Sequence, residues 1–322
     1  MNNKPKVCIV GNMITLPYSP DHSGIIQGLQ ILKDKEKISD YFIADISQHQ
    51  TYGERAIIET IVNGKPDLVI HGMTDSLSQE WPRFVKERLP NVIQVMSMWD
   101  YRPDYMNYDG FWSKWIESGR YLDLITLSNK NQLKWWAKDF GAKTMYWPHG
   151  CVVKSIEYDS QYEFDTVFVG SRNESAPYNE RVKLIDAIDR LTPVKWVNEG
   201  GGDSNSARIG IWKDLGKIYG SAKTTLDISH FWDADGYASG RYFYTSGLGG
   251  CAIAKRFPGC EELFPEGTKI YFDTPEEAMD KIKYYLNHND EREKVKIKGK
   301  EWANKYHSYE VRFLELFNWF NL

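Results

Sequence analysis

Three stretches in the second half of the sequence stand out for residue types able to contact a ligand. Val169-Gly170-Ser171-Arg172 follows an apolar run and precedes a helical one. Gly170 lets the backbone approach a ligand closely, Ser171 brings a hydroxyl and Arg172 a guanidinium, a set suited to a diphosphate. Further on comes Asp233-Ala234-Asp235-Gly236-Tyr237-Ala238-Ser239-Gly240-Arg241-Tyr242-Phe243-Tyr244, with Gly247-Leu248-Gly249-Gly250 behind it. Arg241 opens a helix there, so its charge adds to the positive helix end. The plainer alternative is a structural arginine bridging to Asp235. Third, Phe257-Pro258-Gly259-Cys260-Glu261-Glu262 offers two carboxylates, read either as ligand contacts or as ordinary helix N-terminal acids. In the first half, His71 and His149 close predicted strands. Each is a candidate base or phosphate ligand, weighed against a hydrogen-bonded structural histidine. Asp100, within Met98-Trp99-Asp100-Tyr101-Arg102, also follows a strand. It is placed to act as a base, or it pairs with Arg102 to shape a loop.

The chain around these residues is that of a globular protein. Its 322 residues suffice for two domains, and 42% hydrophobic with 26% charged residues excludes a disordered chain. A formal net charge of -4 advertises neither nucleic acid nor an anionic membrane. Cys8, Cys151, Cys251 and Cys260 are scattered without a C-x-x-C pair. That argues against a zinc site or a disulfide framework and fits a reducing compartment. The N-terminus has no signal-peptide pattern, and no segment approaches the roughly 18 apolar residues of a membrane span. The expectation is a soluble, cytoplasmic protein. Aromatic content is 14%, with 12 Trp and 20 Tyr. The cluster Trp99, Tyr101, Tyr105, Tyr108, Phe111, Trp112, Trp115 is denser than one core needs, and aromatic faces stack on sugars and bases.

Short apolar runs alternating with amphipathic stretches must position these groups, the pattern of a parallel α/β sheet. Strands are expected at Val7–Val10, Tyr41–Ala44, Asp67–His71, Val92–Met96, Leu124–Leu127 and Thr144–Trp147. Helices are expected at Ile25–Leu32, Arg55–Val62, Glu80–Leu89 and Asn131–Phe140, the last stopped by Gly141. A second cycle starts at Asp165–Gly170 and runs through a helix at Tyr178–Arg190 and strands at Val194–Val197 and Thr224–Ile228. The helix Gly240–Gly247 and the strand Cys251–Lys255 follow. Thr274-Pro275-Glu276-Glu277 reads as a capped helix start. Glu199-Gly200-Gly201-Gly202-Asp203 and the polar residues after it read as a flexible loop. The resulting fold is α/β, two tandem Rossmann-like domains over 1–153 and 164–322 with a hinge at 154–163. The last helix is free to return to the first domain. Parallel sheets bind ligands beyond their strands' carboxyl ends, so two facing domains are expected to share a cleft.

In order and spacing, Phe-Val-Gly-Ser-Arg, Gly-Arg-Tyr-Phe with Gly-Gly downstream, Pro-Gly-Cys-Glu-Glu-Leu-Phe, and His307-Ser308-Tyr309 with Arg312 resemble the CgeB-like (spore maturation protein type) glycosyltransferases. The resemblance runs over about residues 165–315. It implies a GT-B fold and a C-terminal half that binds a nucleoside diphosphate sugar, UDP-sugar being the first expectation. Arg241 would hold the diphosphate, helped by Gly170, Ser171, Arg172, Gly249, Gly250 and Glu261. Related enzymes carry a ribose-gripping glutamate three residues after the arginine; here that place is Tyr244. The acidic place eight residues before it falls on Gly236, with Asp235 beside it facing the donor sugar. The stretch Met98–Arg102 is similar to the strand-end Asp-x-Arg of phage DNA β-glucosyltransferases, which implies Asp100 as catalytic base. Trp99, Tyr101, Arg102, His71 and His149 would then face the acceptor. The implied reaction is sugar transfer from the nucleotide sugar to a hydroxyl acceptor, whether glycan, small molecule or modified DNA, with no metal or other cofactor. The alternatives are a DNA glycosyltransferase acting on a modified base, a nucleotide-sugar epimerase, and a catalytically inactive nucleotide-sugar-binding protein.

Overall fold

The structure, a computed structural model, describes residues 4–11, 19–47, 52–72, 78, 80–98, 119–141, 143–172, 179–197 and 205–322. The chain divides into two compact units. Unit 1 comprises Met1–Pro17, Gly28–Pro148 and Phe313–Leu322, and unit 2 comprises Tyr18–Gln27 and His149–Arg312.

Unit 1 is built on β1 (Lys6–Gly11), β2 (Asp40–Asp45), β3 (Leu68–His71), β4 (Ile93–Met98), β5 (Leu124–Leu127) and β6 (Thr144–Tyr146). The order across the sheet is β2-β1-β3-β4-β5-β6, and every pair is parallel. Such a sheet is covered on both faces, so its strands are continuous apolar runs instead of alternating ones. Val7, Cys8 and Val10 are accordingly all at 0% exposure. The helices of this half are α1 (Pro20–Asp34), whose first residues count with unit 2, α2 (Glu54–Gly64), α3 (Trp81–Arg88) and α4 (Leu133–Phe140). Ile57, Ile58 and Ile61 of α2 and Trp81 and Val85 of α3 pack on Cys8, Val10 and Val69. Gly141 caps α4 in the left-handed conformation, as its position suggested.

Unit 2 contains β7 (Thr166–Val169), α5 (Asn179–Leu191), β8 (Lys195–Val197), α6 (Asn205–Ser221), β9 (Thr224–Asp227), α7 (Gly240–Gly247), β10 (Ala252–Lys255), α8 (Cys260–Leu263), β11 (Ile270–Phe272), α9 (Pro275–Asn287) and α10 (Asn289–His307). The final helix, α11 (Tyr309–Phe320), starts in unit 2 and ends in unit 1. The sheet order is β11-β10-β9-β7-β8, again parallel throughout. From β7 the chain goes to one side for β8 and to the other for β9, so the strand order reverses between β7 and β9. That reversal point is where open parallel sheets bind ligands. Thr274 caps α9 by accepting from the Glu277 amide at 3.2 Å, while the Glu277 carboxylate reaches back to the Asp273 amide at 2.8 Å.

One expectation needs correcting. The polar stretch after Asp203, read as loop, is helical from Asn205. Near the end of that helix a Cβ on Gly220 would lie 2.0 Å from the Glu157 carbonyl oxygen, so Gly220 is there for a close backbone crossing. All four cysteines are buried and unbridged, and burial pushes the Cys151 and Cys251 thiols up to about 12. No helix among the described residues is long and apolar enough to cross a membrane.

Candidate functional site

Arg241 sits where unit 2's strand order reverses. It is the second residue of α7, whose N-cap Ser239 is held by its amide donating to Ser229 Oγ at 3.0 Å. The Arg241 guanidinium donates from Nε to the Val169 carbonyl at 2.8 Å and from Nη1 to the Ile228 carbonyl at 2.9 Å. It thus spans the carboxyl ends of β7 and β9, with its carbon 4.5 Å above the Phe168 ring. Nη2 lies against Gly170, where a Cβ would stand 2.5 Å away. Glycine is required at 170 for that approach. The weighed alternative, a bridge to Asp235, is not what the side chain makes, and among the described residues Arg241 enters no ion pair. The guanidinium is held by two carbonyls beside the first amides of a helix.

The other expected contacts divide. Gly170 and Ser171 follow β7 directly and lie at this point. Arg172 turns away to Asp186 at 2.7 Å and stacks over Trp196 at 5.0 Å. Asp235 and Gly236 form a turn locked to the Pro258–Gly259 turn, through the Gly236 amide on the Pro258 carbonyl at 2.8 Å. A Cβ on Gly259 would come within 2.7 Å of Asp235 Oδ1. Glu261 is exposed and ion-paired to Arg256, which also holds Asp273 at 3.3 Å. Gly249 and Gly250 have a different role from the expected one. Their amides bond back to Ser246 and Thr245 and, with Gly249 at φ 86°, close the C-terminal end of α7. They lie beyond the end of α7, whose six residues of rise after Arg241, about 9 Å, separate the two ends.

A second constellation in unit 2 was not anticipated as a unit. Asp21, in the first turn of α1, accepts from Tyr309 at the start of α11 and lies 3.2 Å from His149 Nδ1. Burial alone would raise the Asp21 pKa. The charge of His149 and hydrogen bonds from His149, Tyr244 and Tyr309 outweigh it and hold the carboxyl below its ordinary 3.8. Tyr244, standing where the resemblance places a glutamate, is nearly enclosed and packs its hydroxyl on Gly240. A carboxylate therefore does stand beside residue 244, contributed by Asp21. His149 belongs to this network, 4% exposed. Gly150 and Gly24 both press on the Tyr309 ring, so two glycines make room for that phenol.

In unit 1, His71 is a core residue. It is fully enclosed, edge-on to Trp81 at 4.1 Å, and its Nε2 meets Gln94 Oε1 at 3.1 Å. The Gln94 amide nitrogen donates to Pro82 and Tyr121, so its oxygen accepts and the His71 proton lies on Nε2. Burial lowers the His71 pKa to about 3, which keeps the ring neutral. This is the structural alternative for His71, not an acceptor contact. Trp99, Asp100, Tyr101 and Arg102 lie outside the described residues. Among the described residues no cluster of His, Cys, Asp and Glu has the makings of a metal site.

Comparison with known proteins bears on the fold. Residues 165–318, just under half of the chain, match the family described as "Glycosyl transferase-like". The whole chain is similar to the structure of Anabaena HepE in complex with UDP-glucose, with a TM-score of 0.61 at 11% identity, covering 98% of this chain and 99% of that one. It is also similar to sucrose-phosphate synthase from Thermosynechococcus elongatus, with a TM-score of 0.56 at 9% identity and 98% of each chain covered. No curated protein matches it in sequence. The fold is that of the GT-B glycosyltransferases. Most of the matched segment lies in unit 2, and it contains Gly170, Ser171 and Arg241.

Proposed function

We propose that this protein transfers a sugar from a nucleoside diphosphate sugar to a hydroxyl acceptor, with the donor diphosphate held by Arg241, Gly170 and Ser171. The observation that carries the reading is the Arg241 guanidinium. It is fixed across the β7 and β9 carboxyl ends with no carboxylate neutralising it among the described residues. UDP is the first candidate nucleotide, since HepE, of like fold, is known in complex with UDP and UDP-glucose. A CgeB-like enzyme is the finer form of this proposal, supported by the motif order over about residues 165–315. Charge accumulates on the leaving diphosphate as its bond to the sugar breaks, and a preorganised cation there lowers the barrier. Arginine and the helix end serve this purpose without a metal.

For an inverting reaction the acceptor oxygen forms the new bond to the anomeric carbon while the donor oxygen leaves. The acceptor proton passes to a carboxylate, for which Asp100 is the candidate. Trp99, Tyr101 and Arg102 would flank the acceptor, which is a glycan, a small molecule or a modified base. The test is thermal unfolding with UDP, UDP-glucose and the other common nucleoside diphosphates. A ligand at about 100 times its Kd stabilises by roughly 2.7 kcal/mol, a shift of a few degrees. One nucleotide family should give that shift, and Arg241→Ala should abolish it. A flat response to every nucleotide would sink the proposal.

A further inference from the structure

Arg241 shares its turn of α7 with the Asp21 network. Tyr244 stands three residues after it, and a Cβ on Gly240 would lie 2.3 Å from the Tyr244 hydroxyl oxygen. That hydroxyl therefore reaches back to the residue before the arginine. Asp21, in the first turn of α1, is hydrogen-bonded to Tyr244 as well as to His149 and Tyr309. Its carboxylate thus stands at the end of α7 that carries Arg241, and both residues belong to unit 2. The members of the network differ in access. His149 is 4% exposed and Tyr309 1%, while the Asp21 side chain keeps 22%. The partners are sealed in, and the carboxylate is the part a ligand can touch.

What Asp21 can take follows from its chemistry. Burial is outweighed by the charge of His149 and by hydrogen bonds, so the carboxyl stays ionised and accepts without donating. His149 and Tyr309 both meet one oxygen, Oδ1. A carboxylate offers about four lone-pair sites on its two oxygens, so acceptor capacity is left over. A phosphate is repelled by that negative charge and stays with Arg241. A hydroxyl is the fitting partner, and a nucleoside diphosphate sugar carries hydroxyls on both rings that flank its diphosphate. We infer that Asp21 accepts a hydrogen bond from a sugar-ring hydroxyl of the donor, on the ribose or on the transferred sugar. This rests on the donor reading above and adds to it a residue of α1, far in sequence from the motifs around Arg241.

Titration calorimetry on the full chain tests it with UDP, with the dideoxy analogue of UDP that lacks both ribose hydroxyls, and with UDP-glucose. Where the wild type prefers another base, the same three forms of that nucleotide replace them. Asp21→Asn keeps the shape and removes the charge. If the ribose is the partner, this variant should bind UDP about fivefold more weakly, the difference between a charged and a neutral acceptor. It should then bind the dideoxy analogue as the wild type does. If the transferred sugar is the partner, UDP and its analogue should be unaffected and UDP-glucose alone should lose that factor. Either result supports the contact and says which ring makes it. An equal loss for all three ligands would mean that Asp21 acts only by holding Tyr244 and α7, and the inference falls. It falls too if Asp21→Asn binds all three like the wild type. In both cases, lost binding in Arg241→Ala leaves the donor site standing. The wild type gives a second check that needs no variant: one affinity for all three ligands means that no ring hydroxyl is read, and the inference falls. If the wild type binds none of them, the donor reading falls with it.

Discussion

Arg241 and Asp21 are the two charges whose removal says most. Arg241→Lys keeps a cation but loses the fork that reaches both carbonyls, so it should retain part of the nucleotide affinity that Arg241→Ala loses. A ratio of dissociation constants near one between the two variants would show that charge alone is not what the site uses. Asp21 makes a prediction about acid. Its folded pKa is held below 3.8, so its contribution is present in full above about pH 4 and disappears as pH falls through the lowered value. Asp21→Asn should therefore cost roughly 1–2 kcal/mol at pH 7, from weakened bonds to His149 and Tyr309. The gap from the wild type should narrow as pH falls below 3.8 and through the lowered value, which denaturant titration at several pH values measures. These residues were unequally visible in the sequence. Arg241 showed itself through its place at a helix start after a glycine-rich turn. Asp21 and Tyr309 lie 288 positions apart, and no local pattern announces such a pair.

At the level of elements, unit 2 holds its strands in place with an ion pair as well as apolar contacts. Lys269, beside β11, and Asp227, at the end of β9, are both at 0% side-chain exposure and 2.7 Å apart. The ammonium also lies 4.3 Å from the Tyr242 ring centre and 4.6 Å from that of Phe264. Lys269→Met leaves a buried carboxylate without its partner and should cost about 3–5 kcal/mol. The double variant Lys269→Met/Asp227→Leu should regain most of that in the same denaturant titration. Gly220→Ala is a second test at this level. It drives a methyl into the Glu157 backbone and should destabilise by about 1–3 kcal/mol, whereas an exposed helix glycine would gain from the same change. The strands were legible because parallel strands covered on both faces are unbroken apolar runs. Helix α6 was not, since its first residues, Asn205-Ser206, are polar and follow closely on a glycine run that reads as loop. Gly249 and Gly250 misled in the opposite way: glycine at a helix end and glycine at a phosphate look alike in sequence.

Over the whole molecule, each unit takes in residues from a distant part of the chain. Phe313, Leu316 and Phe317 of α11 are buried at 1%, 0% and 3% exposure and belong to unit 1. Fully burying such a side chain contributes about 1.5–3 kcal/mol. Removing residues 313–322 should therefore cost several kcal/mol, visible as a lower melting temperature, while residues of the Arg241 site remain in the chain. Unit 2, for its part, needs Tyr18–Gln27 from before the first unit's second strand. This has a consequence for synthesis. On a ribosome, Asp21 emerges early and must wait for Tyr309, so the carboxylate that ends up enclosed spends most of translation without its phenol partner. A recombinant fragment cut to the boundaries of the matched glycosyl transferase-like segment would contain Tyr309 but neither Asp21 nor His149. Such a fragment would expose the face of Tyr309 that Gly24 and Gly150 normally cover. The gene's natural unit of folding is longer than the segment that looks like a domain.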